Sequence, residues 1–496
     1  MNVASAIWRL PGHRRMLPHR FLSHVAVPGP KVAIVGSGPA GFYTAKYLLD
    51  KHATLSVDIL EALPTPFGLV RHGVAPDHPE VKSVMSTFTE VAEHHRCRFF
   101  GNVRVGGAQV PLENLQRAYD VVVLAYGAAS DAALGVSGED LPGVMSARAF
   151  VNWYNGHPAY RDLAVDLSIT RRVVIIGQGN VAIDCARILA KRPDDLACTD
   201  IAPHALATLR RSAVEDIVVI GRRGHVQAAF TIKEIRELTK IDGCALHISE
   251  AELAAGKTTA SDAEVTDNRP KLRIVELLAK IAADGGGGGA GAGAPPATKA
   301  VRLRFLLSPT DIVADNGAVA AINLSHNRLE GEAHRQRAVP TGTVERLPCQ
   351  FVLKSVGYTS EPLAGAPFDG RTRTVPNVAG RVVERVTEGA PDLAPVPGLY
   401  VSGWLKRGPS GIIGTNITDA KETVMCILED LRAAEGRPAT SRPPLAALGA
   451  PEVVTWADYQ RIDQEERARG EALAPPKPRE KICSVGELLR VAKKQP

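Results

Sequence analysis

Residues 31–41, KVAIVGSGPAG, decide how the rest of the chain is read. Val32 to Val35 are an apolar run of the kind that forms a buried parallel strand. Gly36, Gly38 and Gly41 follow as G-x-G-x-x-G, where that strand must turn into a helix. Gly36 permits the tight turn, Gly38 lets the backbone approach a pyrophosphate, and Gly41 lets the helix pack close on the strand. The pyrophosphate rests on the amides at the helix N-terminus, with Ala40 in its first turn. One such pattern alone is weak evidence. Here a second apolar run, residues 57–60, ends in Glu61, twenty residues after Gly41. A carboxylate at that strand end binds both hydroxyls of an adenosine ribose.

A second unit repeats this logic at residues 171–189, RRVVIIGQGNVAIDCARIL. A strand over 173–176 leads to Gly177-Gln178-Gly179 and then a helix, with Ala182 at the place of the third glycine. Alanine is still small enough for close packing there. Two fingerprints in one chain predict two nucleotides with electrons moving between them. The next strand, 217–220, ends in Gly221-Arg222-Arg223-Gly224 instead of an acid. A carboxylate would repel a ribose 2′-phosphate, whereas a forked guanidinium binds it bidentately. The second site therefore reads as NADP-selective. The long spacing from glycine turn to arginine pair makes residues 193–213 look like an insertion.

Between and after these units the chain reads coarsely. Residues 63–82, rich in Pro and Gly, predict an extended loop, and 67–73 (FGLVRHG) suit the lining of a flat ring system. Helical spacing covers 81–97 and 230–238, and strands are expected at 98–105, 119–126, 301–307, 319–324 and 351–356. Residues 268–280 predict a helix with Pro270 near its start, and Arg269 and Arg273, four apart, share one face of it. That face suits an acidic protein or is an ordinary solvated one. Residues 283–299, ADGGGGGAGAGAPPATK, cannot pack a core and predict a mobile loop. In residues 398–420, GLYVSGWLKRGPSGIIGTNITDA, a glycine-rich turn precedes a helix. Its amides suit a flavin carbonyl or N1, where donors stabilise the reduced ring, and Trp404 is either a ring that stacks there or core. The tail from Val453 is mostly charged, with a short amphipathic helix over 456–467, and reads as a peripheral arm.

The 496 residues suggest about two to four domains. With 45% hydrophobic and 23% charged residues the composition is that of an ordinary globular protein. The net charge of +6 hints at an acidic partner, but the excess is small, and basic residues spread over a large surface are usually only solvation. Nucleic acid is not an expected partner. Seven cysteines without a C-x-x-C exclude a redox dithiol of that motif, a zinc ribbon and a secreted disulfide framework. No metal site is expected. No apolar run reaches the ~18 residues of a membrane span. Residues 1–30 carry Arg9, Arg14, Arg15 and Arg20 with no acid, and the first acidic residue is Asp50. Such a leader is that of an organellar transit peptide, the other reading being a basic disordered tail.

Taken together, GQGNVAIDCARIL, VIGRRG, FTIKEIRE, SGWLKRGPSGIIGTNITDA, FGLVRHGVAPDHPEVK and KPREKI resemble the mitochondrial NADPH:adrenodoxin (ferredoxin) reductases. The resemblance runs from Lys31 to Ala492 and breaks at the leader, at 193–213 and at the glycine-rich stretch. It implies an α/β fold of two doubly wound Rossmann-like domains, the NADP domain inserted in a discontinuous FAD domain. The expected division is a leader at 1–30, FAD domain at 31–140 and 347–445, NADP domain at 141–346, and a C-terminal arm at 446–496. It further implies FAD contacts from Ala40, Glu61, Leu69, Val105, Trp404, Gly411, Ile412 and Ile413. NADP contacts fall to Gln178, Gly179, Asn180, Val181, Arg222, Arg223 and Glu234, with Gly411 at the nicotinamide end. Arg269 and Arg273 match positions that dock an acidic [2Fe–2S] ferredoxin. His78 and Asp184 match a hydrogen-bonded pair that couples charge between the domains; from the residues alone, a surface His and a helix-surface Asp remain equally open.

The implied chemistry is hydride transfer from NADPH to FAD, then delivery of two electrons, one at a time, to the ferredoxin. Location in the mitochondrial matrix, a monomeric state and at most peripheral contact with the inner membrane are expected. Downstream, haem monooxygenases and iron–sulfur cluster assembly are both open. Two other functions stay open at this point. An FAD- and NADPH-dependent monooxygenase also needs two fingerprints, and a non-catalytic nucleotide-binding sensor needs no turnover at all. Gly403-Trp404, where related disulfide reductases carry Gly-Asp, counts against a dithiol enzyme.

Overall fold

The computed structural model of the chain describes residues 29–107, 110–266, 268–285, 297–385, 393–434 and 452–494. The leader and residues 286–296, the greater part of the glycine-rich stretch, lie outside them.

Two β-sheets organise the molecule. The first has eight strands in the order Asn377–Val378, Arg381–Arg385, Leu393–Val401, Val121–Leu124, Lys31–Val35, Ser56–Leu60, Cys97–Gly101, Val454–Thr455. Its five central strands are parallel, and antiparallel strands close both edges. The three innermost, Lys31–Val35, Ser56–Leu60 and Val121–Leu124, are buried on both faces almost throughout, which explains why they read as continuous apolar runs. The helix Pro39–Lys51 covers one face beside the long helix Thr415–Ala433, with Phe42 and Phe88 stacked 4.9 Å apart beneath them.

The second sheet has six strands, all parallel, in the order Val144–Ser146, Phe351–Lys354, Arg172–Ile176, Asp216–Ile220, Lys299–Arg304, Cys244–Ile248. The first sheet draws strands from both ends of the described chain and the second from the middle. This is the expected architecture of one doubly wound unit inserted in another, but the strand Phe351–Lys354, expected with the first unit at 347–445, pairs into the second sheet. A third, antiparallel sheet of Leu307–Asp315, Ala318–Glu330 and Arg337–Pro348 rises beside the second.

Several local expectations change. The stretch 63–82 is not loop throughout: Leu69–His72 and Pro79–Lys82 are single helical turns. The helix expected over 81–97 breaks at Ser83 and resumes as Val84–Ala92. The strand expected to Val105 stops at Gly101, since Asn102 takes a positive φ of 60°. Strands anticipated at 301–307 and 319–324 belong to different sheets. Residues 193–213 are no loose insertion, because the helices Pro193–Ala197 and Pro203–Arg210 bury Leu196, Leu206 and Leu209 in the second unit's core.

The charged tail is also built in more deeply than an arm. After the helix Trp456–Glu471, Lys477, Lys481, Ile482 and Cys483 are all buried. Lys481 lies 3.0 Å from Asp200 of the second unit, and Lys82 of the first lies 2.6 Å from the same carboxylate. Glu466 accepts from Arg71 at 2.6 Å and from the Ile482 amide at 2.9 Å. Charges can be buried here because each faces an opposite charge with hydrogen bonds. No helix of the described residues is long and apolar enough to cross a membrane.

Candidate functional site

Each fingerprint forms the same cradle. Gly36 and Gly177 have φ of 109° and 121°, and a Cβ there would lie 2.5 and 2.1 Å from the carbonyl oxygens of Ala125 and Ser355. Only glycine fits both the dihedral and the space. Gly41 is equally tight, its virtual Cβ 2.0 Å from the Gly36 carbonyl. Gly38 and Gly179 differ, because a Cβ on either meets nothing within 4 Å. That open space lies at the amide end of the helices Pro39–Lys51 and Asn180–Ala190, whose N-caps are these two glycines. A pyrophosphate fits both cradles.

Around the first cradle, Glu61 accepts from the Ser37 amide and hydroxyl at 3.1 and 2.6 Å and from the Leu63 amide at 3.0 Å. Its carboxylate is thereby fixed at the strand end with lone pairs to spare for a ribose. Gly68 packs with its virtual Cβ 3.1 Å from the Gly38 α-carbon, and so brings Leu69 to the same place. Ala40 packs under Gly403, and Val105 is buried in a short bridge with Val110. Trp404 opens the short helix Trp404–Arg407 and stacks on Tyr358, ring centres 5.4 Å apart, so its ring has a partner that the sequence did not suggest. Ile412 is 69% exposed, between Gly411 and Ile413. Its amide, expected to face a flavin, donates to Thr415 Oγ1 at 3.1 Å.

Around the second cradle, Gln178 donates to the Arg304 carbonyl at 2.8 Å, and Asn180 accepts from the Thr231 amide at 2.9 Å. Val181 is half-buried beside them. Arg222 and Arg223 follow the strand next to the fingerprint strand and line a cleft of about 540 Å³. Arg335 and Arg337, which the sequence reading missed, line the same cleft.

His78 and Asp184 do meet in one cluster, but not as the expected hydrogen-bonded pair. His78 Nε2 lies 2.6 Å from Glu237, while Asp184 lies 2.7 Å from Arg187. The reason is Arg187 itself, a 1%-exposed guanidinium that the sequence reading passed over. It also donates to Asp77 at 2.7 and 3.0 Å and to Glu234 at 3.1 Å. Arg187 stands one helical turn after Asp184, and that spacing was the available signal. Glu234 thus sits in this cluster rather than in the arginine cleft.

Burial raises the carboxyls of Asp184 and Glu234 above the ordinary value, against the pull of Arg187. Burial pushes Asp77 the same way, but Arg187 and Lys191 outweigh it and hold that carboxyl far below. His78, Asp184 and Glu234 bring ligand atoms within 4.8 Å of one another. The positive charge a metal would supply there already comes from Arg187, which contacts both carboxylates. Arg269 and Arg273 are exposed on the helix Arg269–Ala283, begun by Asn268 as cap with Pro270 in its first turn.

Comparison with known proteins gives a consistent picture. The family described as pyridine nucleotide-disulphide oxidoreductase matches residues 30–240. The mitochondrial NADPH:adrenodoxin oxidoreductase of Bos taurus is 47% identical over 473 residues, covering 93% of this chain and 92% of that protein. The protein of the same name from Arabidopsis thaliana is 45% identical, covering 96% and 98%. The NADPH-ferredoxin reductase FprA of Mycobacterium tuberculosis is 44% identical, covering 93% and 98%. Its solved structure in complex with NADPH superposes with a TM-score of 0.83 at 43% identity, covering 94% of this chain and 100% of that one.

Proposed function

The chain belongs to the NADPH:adrenodoxin (ferredoxin) oxidoreductase family, and on that premise we propose that it passes electrons from NADPH through FAD to a [2Fe–2S] ferredoxin. The observation that carries the reading is the pairing of two open glycine cradles with unlike strand ends, a carboxylate in one unit and two arginines in the other. Bound FAD supplies the step from a two-electron hydride donor to a one-electron acceptor.

The protein's part is placement. Gly36, Gly38, Ala40 and Gly41 form the FAD pyrophosphate turn, and Glu61 takes the ribose. Leu69, Val105, Trp404, Gly411, Ile412 and Ile413 surround the remainder of FAD. Gln178, Gly179, Asn180 and Val181 receive the NADPH pyrophosphate, Arg222 and Arg223 its 2′-phosphate, and Gly411 its nicotinamide end. His78, Asp184 and Glu234, joined through Arg187, hold the charge between the two units in register. Arg269 and Arg273 offer an exposed cationic face to an acidic ferredoxin.

The location is mitochondrial, as for the bovine and Arabidopsis relatives. Within the organelle we assign the matrix, a monomer, and no membrane contact beyond a peripheral one; the electrons serve haem monooxygenases or iron–sulfur cluster assembly. Anaerobic mixing of the yellow protein with NADPH tests the core of this reading. Bleaching of the flavin colour by NADPH, about tenfold slower with NADH, is expected. A colourless protein, or equal rates with both donors, contradicts it.

A further inference from the structure

The arginine cleft has two walls. One is the pair Arg222 and Arg223 at the end of the strand Asp216–Ile220. The other is Arg335, on the turn that joins the strands Ala318–Glu330 and Arg337–Pro348 of the antiparallel sheet, and Arg337, the first residue of the second of these strands. Ser308, Gln336 and Ala338 complete the lining, which among the described residues contains no acid. Of the acids on the surrounding elements, Glu264 has Lys271, Glu330 has Arg328 and Glu345 has Arg304, while Glu332 is exposed on the same turn and lies outside the lining.

The second wall is anchored. Gln336 is 4% exposed; it donates to Thr258 Oγ1 at 2.8 Å and accepts from Ser261 Oγ at 2.9 Å and from Gln227 at 3.1 Å. A buried residue flanked by two exposed ones sends its neighbours to the opposite side of an extended segment. The base of the sheet is tied to the first wall. Asn327 donates to the Arg222 carbonyl at 3.0 Å, and the Leu306 amide donates to the Arg223 carbonyl at 3.0 Å. The distance between the walls is therefore set by hydrogen bonds.

Four guanidinium groups around one acid-free cleft repel one another. That arrangement becomes favourable when a group of high negative charge enters. A phosphate monoester carries nearly two charges at neutral pH and three acceptor oxygens. One arginine pair can engage it from one side only.

We infer that Arg335 and Arg337 form the second wall of the ribose 2′-phosphate pocket and determine the choice of NADPH over NADH together with Arg222 and Arg223. This rests on the proposed reading of Arg222 and Arg223. The sheet carrying them acts as a clamp on the adenosine end, and NADH, which lacks the phosphate, gains nothing from it.

Calorimetric titration of the FAD-loaded protein with 2′-AMP and 5′-AMP tests the inference. Arg335→Ala/Arg337→Ala weakens 2′-AMP by about tenfold or more and leaves 5′-AMP within about twofold. Arg161→Ala/Arg467→Ala, which removes the same charge from two exposed positions elsewhere, leaves both ligands within about twofold. Unchanged 2′-AMP affinity in the hairpin variant, or equal weakening of both nucleotides, overturns the inference. Arg222→Ala/Arg223→Ala separates the two levels. If it weakens 2′-AMP while the hairpin variant does not, the clamp is wrong and the first wall stands. If neither does, the premise fails with it.

Discussion

Arg187 of the second fingerprint helix grips Asp77 of the first unit with two hydrogen bonds, 2.7 and 3.0 Å long. The pair joins the two nucleotide-binding units beside His78, and its charges are almost wholly buried. Removing Arg187 leaves Asp77 with Lys191 but takes the cation from Asp184 and Glu234 in a dry place. Arg187→Met is expected to destabilise the protein by about 3–5 kcal/mol in urea denaturation. Asp77→Asn, which keeps the shape and the acceptor oxygen, costs less. Equal midpoints for wild type and Arg187→Met would show that the cluster carries no structural weight.

The two kinds of fingerprint glycine make a contrasting pair. Gly36→Ala forces a left-handed φ on alanine and drives its Cβ to 2.5 Å from a carbonyl oxygen, so folding suffers. Gly38→Ala meets no protein atom within 4 Å. It is expected to fold with an unchanged apoprotein melting temperature and to lose about tenfold or more in FAD affinity. FAD titration of the two apoproteins, alongside their melting curves, checks this. Retention of wild-type FAD affinity by Gly38→Ala would remove the pyrophosphate from that cradle.

Lys481 gives a pH dependence of definite sign. Burial lowers its pKa from 10.5 to about 7, against the pull of Asp200. Between these values the unfolded chain holds a proton that the folded protein does not, so this group makes stability rise with pH from about 7 towards 10.5. In Lys481→Met that contribution vanishes. The urea stability of wild type should therefore climb from pH 7 to 9 more steeply than that of the variant, by up to about 1.4 kcal/mol per pH unit. Parallel profiles would contradict it.

What the sequence made legible follows the physics of each element. Strands 31–35 and 172–176 are buried on both faces and end in turns that only glycine can make, so composition alone exposes them. The arginine pair was readable because it stands where an acid is usual. Arg335 and Arg337 were not, since they reach Arg222 only through a sheet whose pairing has no local signature. The same holds for Arg187 and for the 477–483 segment. Buried charges look like solvated ones until the partner is placed, and Lys481 meets Asp200 across 281 residues of chain.

Arg269 and Arg273 carry the docking proposal. Arg269→Ala/Arg273→Ala should raise the KM for a [2Fe–2S] ferredoxin roughly three- to tenfold at low salt, with the difference shrinking at high salt. Reduction of ferricyanide, which needs no protein docking, provides the comparison. A ferredoxin KM that matches wild type at every ionic strength would move the docking surface elsewhere.

The most direct measurement is NADPH- against NADH-driven reduction of a mitochondrial [2Fe–2S] ferredoxin, followed through cytochrome c, in wild type and in Arg222→Ala/Arg223→Ala. The account predicts strong preference for NADPH, strict dependence of cytochrome c reduction on the ferredoxin, and loss of the preference in the double variant. A yellow protein that oxidises NADPH yet passes no electrons to any ferredoxin would contradict it.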